Sequence, residues 1–370
     1  MRLNHKIAVI GSALRTPENA DAQSLEELLF EVSQAALKDA GLTIDDIDGI
    51  VVGSNDQMDG RAISVMAASG SVGGVGRDIL STPSAAEHAF VMGALRIASG
   101  QYRTQLIVCW SPTEADSQAE VERIGADPYF HRRLPLDDLS AYALQATALA
   151  AKAPGVTEIA NAISERQGAG ERRDAAPPAF RRWPLTSRMT PPPTTGAVAI
   201  VLGSESFAVP RGGRVAWVRG MNWATETDFL GDRDLSTAPA LETAARGAYA
   251  EAGIGSPRES IQVAEVSDAT PYQQLLALEA LGISGRREWA SDVKEGAFDF
   301  GSDLKINPSG GVRATNAVFC NGLVRIAEAA NQVMGRAGAH QVAGVRTALA
   351  HAASGFAMQY QTVVVLGQDR

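Results

Sequence analysis

The apolar positions of this chain fall into short buried runs separated by stretches with helical period. Lys6-Ile7-Ala8-Val9-Ile10-Gly11 reads as a buried first strand. Ser24-Leu25-Glu26-Glu27 matches a capping box and opens a helix on which Leu25, Leu28, Leu29, Val32 and Ala36 share a face. Gly41 suits a left-handed cap at its end, and a second strand runs from Ile47 to Gly53. The same order then returns. Leu241 to Gly253 is a helix ending Glu251-Ala252-Gly253, followed by a strand from Ile261 to Val266. A helix ending Ile97-Ala98-Ser99-Gly100 leads to the strand Leu106 to Trp110. Its echo is Leu323 to Gly338, then Gln361 to Gly367. Helices alternating with Val/Ile-rich strands predict an α/β fold with buried sheets, here written twice.

Between the repeats, roughly residues 112–190 have a different character. They are rich in Arg, Ala and Pro, as in Arg172-Arg173-Asp174-Ala175-Ala176-Pro177-Pro178. The first repeat resumes with Gly196-Ala197-Val198-Ala199-Ile200-Val201-Leu202. The expected division is residues 1–205, carrying the insertion at about 112–190, and residues 206–370.

Bulk properties narrow the classes of function. The 370 residues are 45% hydrophobic and 20% charged, as in a soluble globular protein. A net charge of −9 and a pI near 5.2 argue against nucleic-acid binding. No apolar run reaches about 18 residues, so no membrane span is expected. Met1 to Lys6 enters a strand without a signal-peptide core, which makes the cytoplasm the expected compartment. The two cysteines, Cys109 and Cys320, are too few for a disulfide framework, and the five histidines are scattered. No metal site is expected.

The motif richest in information is Ile306-Asn307-Pro308-Ser309-Gly310-Gly311, a turn feeding the long C-terminal helix. With the duplication, it resembles the thiolase superfamily, in particular the sterol-carrier-protein-type branch. That resemblance implies a duplicated five-layer αβαβα fold. It also implies that the insertion is a loop domain covering a coenzyme A channel, and that the chain forms a homodimer or heteromer. Thr195 stands where the family's strand begins with aspartate. Arg325 and Glu328 are spaced to pair on a helix surface.

The resemblance also implies a reactive set, and this chain departs from it at each position. The family's nucleophilic cysteine would fall on Pro83 or Ser84. His88 lies four residues after Ser84, so a Ser–His couple can form on one helix, although Ser84 reads more simply as an N-cap. The family's His-Asp-Cys-Phe corresponds to Ser267-Asp268-Ala269-Thr270, where Asp268 remains and reads as a helix cap; Tyr272 nearby reads as packing. Its Gly-His-Pro corresponds to Thr315-Asn316-Ala317, and an amide such as Asn316 binds a carbonyl but moves no proton at neutral pH. Cys320 is either a relocated nucleophile or a buried core residue, with the core reading favoured. Cys109 reads as strand core. His351 is placed in a C-terminal loop beside Ser354-Gly355, the remnant of a Gly-rich turn.

The candidate catalytic residues are therefore Ser84, Asp268, Asn316, Cys320 and His351, with Tyr272, Gly310, Gly311, Ser354 and Gly355 as candidate substrate contacts. No covalently bound cofactor is implied; a coenzyme A thioester is the expected substrate or ligand. The expected function is an atypical or non-catalytic thiolase subunit in acyl-CoA metabolism, of fatty acid, steroid or aromatic type. Its expected partner is another thiolase-like chain or a small OB-fold zinc-ribbon protein. The alternative is an active acyltransferase or retro-aldolase that uses other residues.

Overall fold

The structure is a computed structural model that describes residues 6–17, 23–111, 118–134, 136–167, 180–211, 213–299 and 302–370. The Arg172–Pro178 stretch lies outside them. The first half runs β1 (Ile7–Arg15), α1 (Leu25–Ala40), β2 (Gly49–Gly53), α2 (Asp56–Asp59) and α3 (Ser64–Ser69). It continues with β3 (Asp78–Thr82), α4 (Ala86–Ala98) and β4 (Thr104–Trp110). The insertion supplies α5 (Gln118–Gly125), α6 (Asp138–Lys152), α7 (Val156–Gln167) and a hairpin of β5 (Phe180–Arg182) and β6 (Leu185–Thr186). Strand β7 (Ala197–Ser204) closes the half, and α8 (Glu205–Arg211) leads out of it.

The second half opens with β8 (Ala216–Thr225), α9 (Pro239–Ala252), α10 (Pro257–Ser260) and β9 (Val263–Val266). Then come α11 (Pro271–Ala280), α12 (Trp289–Glu295), β10 (Lys305–Ile306) and α13 (Gly311–Ala314). It ends with α14 (Asn321–Met334), β11 (Thr347–Ser354) and β12 (Tyr360–Gly367).

Ten strands form one ladder in the order β3-β2-β4-β7-β1-β8-β12-β11-β9-β10. Read outward from the centre, the two halves have matching order and matching sense. β1 and β7, like β8 and β12, are antiparallel, and so are β7–β4 and β12–β11. The outer pairs β4–β2, β2–β3, β11–β9 and β9–β10 are parallel. The seam is short: among the described residues β1 meets β8 at Ala8–Trp217 and Val9–Ala216.

Strand alternation builds the layers. Ala8, Ile10, Ile50, Val52, Leu106 and Val108 face α1. Their neighbours Ile7, Val9, Val51, Ile107 and Cys109 face a shared core with α4 and α14. From the second half, Val263, Ala348, Ala350, Val364 and Leu366 enter that same core, while Ala264, Val266, Leu349, Val363 and Val365 face α9 and α11. The result is five layers, helix–sheet–helix–sheet–helix, with α4 and α14 in the middle. The insertion packs on the outside, where Ala146, Leu149, Val156 and Ala160 meet Tyr272, Leu275 and Leu276 of α11.

Local signals work as the sequence predicts at several ends. The Ser24 hydroxyl accepts from the Glu27 amide at 3.2 Å, and the Glu27 carboxylate accepts from the Ser24 amide at 3.0 Å. The α14 helix, expected to reach Gly338, stops at Met334 because Gly335 turns left-handed at φ 74°.

The duplication extends to backbone contacts. A Cβ on Gly11 of β1 would lie 2.6 Å from the Ala40 nitrogen and 2.7 Å from the Ala36 oxygen of α1. On Gly220 of β8 it would lie 2.1 Å from the Ala248 oxygen of α9. In each half a glycine lets the helix backbone touch the strand. Gly220→Ala is expected to destabilise the protein by about 2 kcal/mol, since backbone must move. Gly255→Ala, where the added atom meets nothing within 4 Å, should change stability by less than about 0.5 kcal/mol. Urea unfolding midpoints of the two variants test the contrast.

Candidate functional site

The Asn307–Gly311 turn is held by a buried ion pair. Glu265, on β9, is 0% exposed and Arg325, on α14, 1%. The Arg325 Nη1 lies 2.7 Å from Glu265 Oε2 and donates also to Ser309 Oγ at 2.9 Å. The Ser309 amide and hydroxyl donate to the two Glu265 oxygens at 3.1 and 2.7 Å. Burial pushes the Glu265 carboxyl up, and the Arg325 charge opposes it. The expected surface pair of Arg325 with Glu328 is therefore corrected: Glu328 instead holds His340 at 2.9 Å.

Glycine is required in this turn. Gly310 has φ 89° and Gly311 φ 65°, and a Cβ on Gly311 would come within 2.3 Å of Asp268 Oδ2. Asp268 Oδ1 accepts from the Val312 amide at 2.7 Å. Its carboxylate thus anchors the start of α13, while Thr270 caps the adjacent α11. Gly310, Gly311 and Asp268 shape the entry to α14.

A second cluster forms where α4 begins. Ser84 is exposed, and its Oγ lies 2.7 Å from His88 Nδ1. Ser84 is not the N-cap: Ala85 occupies that position and gives no side-chain bond, so the amides of the first turn lack a side-chain acceptor. The Asn55 amide donates to the Pro83 carbonyl at 3.0 Å and fixes the approach. The His88 ring stands edge-on to Tyr360 with centroids 5.6 Å apart. Next to it, Glu87 is 1% exposed and accepts from the Ser354 hydroxyl at 2.6 Å. Gly322 of α14 makes room for this carboxylate, since a Cβ there would lie 2.3 Å from Glu87 Oε2. Gly355 follows Ser354 with φ 71°. Ser84, Ser354 and Gly355 are thereby brought to one place, together with His88, Glu87 and Tyr360.

The remaining candidates lie elsewhere or are already committed. Asn316 gives its amide hydrogens to the Pro191 carbonyl at 3.0 Å and its oxygen accepts from Asn321 at 3.0 Å, tying the return of the insertion to the start of α14. Cys320 is the buried N-cap of α14, with its Sγ 3.4 Å from that of Cys109. Burial first, then the neighbouring thiol, pushes it well above the usual thiol range, the reverse of what a nucleophile needs. The core reading of both cysteines holds.

His351 is not in a loop. It lies within β11 opposite Val363 and Val266, fully buried, with Nε2 2.8 Å from Gln361 Oε1. Alternation explains its distance from the cluster. Ala350 faces the α4/α14 core and Ser354 reaches Glu87, so His351 points to the opposite side, with Leu349. Burial pulls its pKa down to about 4, with the Gln361 bond opposing. Tyr272 is buried under the insertion, and burial pushes its phenol up.

Sequence reasoning passed over Glu87 and Tyr360. A signal for Glu87 was present: a carboxylate inside an Ala-rich apolar helix face. Among the described residues no three His, Cys, Asp or Glu side chains gather as a metal site, and no helix is long and apolar enough to cross a membrane.

Comparison with known proteins gives a consistent picture. A family model described as thiolase C-terminal domain-like matches residues 224–368. An acetyl-CoA acetyltransferase of Methanothermobacter thermautotrophicus is 30% identical over 162 residues, 43% of this chain and 42% of that protein. Human sterol carrier protein 2 is 31% identical over 174 residues, 45% of this chain and 31% of that one. The matched stretches span less than half the length of these relatives. A solved structure described as an Ltp2-ChsH2(DUF35) aldolase aligns over 100% of both chains, with a TM-score of 0.82 at 20% identity. At that identity the likeness establishes the fold.

Proposed function

From the premise that this chain belongs to the thiolase superfamily, on its sterol-carrier-protein-type side, we propose that it makes or breaks a carbon–carbon bond in an acyl-CoA thioester by proton transfer. No sulfur-bound acyl intermediate takes part. The observation that carries the reading is the contrast between two reactive pairs. The thiols of Cys109 and Cys320 are buried against each other, whereas Ser84, an exposed residue, forms a hydrogen-bonded couple with His88. An acyl-enzyme route needs an activated thiolate. A retro-aldol route needs only a base for the β-hydroxyl and donors for the enolate. His88 accepts a proton relayed through Ser84, and the amides at the start of α4, which no side chain caps, offer donors to the developing oxyanion.

The aldolase named among the solved structures, whose description joins two proteins, supports the reaction class and the idea of a partner subunit. We extend both to this chain, as one subunit of a homodimer or of a complex with a small second protein. One observation favours a second reading, that of an acyl-CoA-binding subunit without turnover: Asp268 and Asn316 are engaged in structural hydrogen bonds.

A panel of β-hydroxyacyl-CoA esters, assayed for ketone release with the partner present, separates the two. His88→Gln is expected to lower kcat/KM by about 100-fold. Heat of acyl-CoA binding without ketone release across the panel would transfer the conclusion to the second reading.

A further inference from the structure

Glu87 is the group in this cluster that the preceding reading leaves without a task. It is 1% exposed, yet among the described residues it enters no ion pair; Glu265, equally buried, meets Arg325 at 2.7 Å. A buried carboxylate without a cation is costly, so something must hold it there. Two features do. The Ser354 hydroxyl donates to Oε1 at 2.6 Å, and Oε2 lies against Gly322 in the first turn of α14. That turn has no side-chain cap, so its amide end offers positive potential to an anion. The chain also places glycine, a poor helix former, at a position where any Cβ would strike the carboxylate. Glu87 and His88 are consecutive in α4, and each is joined to a serine from outside the helix, Ser354 and Ser84.

We infer that Glu87 is the base that removes the α-proton of the acyl-CoA, a role that rests on the carbon–carbon reading above. In the direction of bond formation, the Glu87 carboxylate takes a proton from Cα. The released electron pair forms the Cα–Cβ bond to a ketone carbonyl carbon. The carbonyl π pair moves to its oxygen, which receives the proton relayed by Ser84 from protonated His88. Bond cleavage retraces these steps, with no change in oxidation state. Ser354 is a positioning residue that orients the carboxylate, and Gly322 gives it space.

The test is exchange of the α-protons of propionyl-CoA in D2O, followed by mass spectrometry on the full-length protein with its partner. Ketone release is measured in parallel. Wild type should exchange faster than buffer alone. Glu87→Gln should slow exchange by about 100-fold, while calorimetric affinity for propionyl-CoA and the melting temperature stay near those of wild type. His88→Gln should retain exchange and release ketone about 100-fold more slowly. Should Glu87→Gln not fold, Ser354→Ala keeps the charge and should slow exchange by about tenfold.

Exchange by Glu87→Gln within about threefold of wild type, or wild-type exchange no faster than buffer, overturns the assignment. Wild-type exchange that Glu87→Gln slows as expected, without ketone release on any substrate, supports Glu87 as base and removes the carbon–carbon reading. Ketone release unchanged in Glu87→Gln does the opposite.

Discussion

Glu265→Ala is expected to cost about 3–5 kcal/mol of stability, the largest effect of any single side chain considered, because it strands Arg325 as an unpaired buried charge. Both partners are essentially without solvent contact. The loss also releases Ser309, whose amide and hydroxyl both bond Glu265, so the turn into α14 should loosen. The double variant Glu265→Gln/Arg325→Met should recover much of the loss, since removing both charges avoids their desolvation. Urea unfolding of the single and double variants decides the matter. A single variant that unfolds within about 1 kcal/mol of wild type would show that water or another group reaches Arg325.

The second large effect is acid lability centred on His351. In the folded protein burial holds its pKa at about 4, against the ordinary 6.5. Between those values the unfolded chain binds the proton and the folded chain does not, so stability rises with pH across this window. Folding should therefore weaken by about 3 kcal/mol as pH falls from 6.5 to 4 on account of this one group. His351→Gln, which has nothing to titrate, should flatten that part of the profile relative to wild type. Equal slopes in the two proteins would mean that His351 is protonated inside the fold.

Much of the architecture was legible from local patterns. The Ser24 capping box, the left-handed Gly41 and Gly253, and the repeated helix–strand order are short-range signals, and short-range physics produces them. Alternation along the strands then distributes each one between an outer and an inner layer.

The site was legible only in part, because its partners are chosen across distance. Arg325 sits three residues from Glu328, yet it faces the interior, where Glu265 lies 60 positions away in sequence. Ala350-His351-Ala352-Ala353-Ser354-Gly355 lacks the β-branched residues of a strand and reads as a loop. Pairing with β12 makes it a strand, which turns His351 away from Ser354. Glu87 was passed over because its partners, Ser354 and Gly322, are far from it in sequence. Ser84, by contrast, was singled out by the family resemblance, its four-residue spacing to His88 predicted a contact, and the structure has it.

The short seam between β1 and β8 has a consequence for how this molecule could be divided or recombined. Among the described residues two pairs stitch the copies together along the ladder, while the middle layer is contributed jointly by α4 and α14. Neither copy owns a closed interior. Such a chain is duplicated but not modular: exchanging one repeat for a relative's would have to carry over the whole helix-to-helix contact face, or the hybrid would be left with a hollow at its centre.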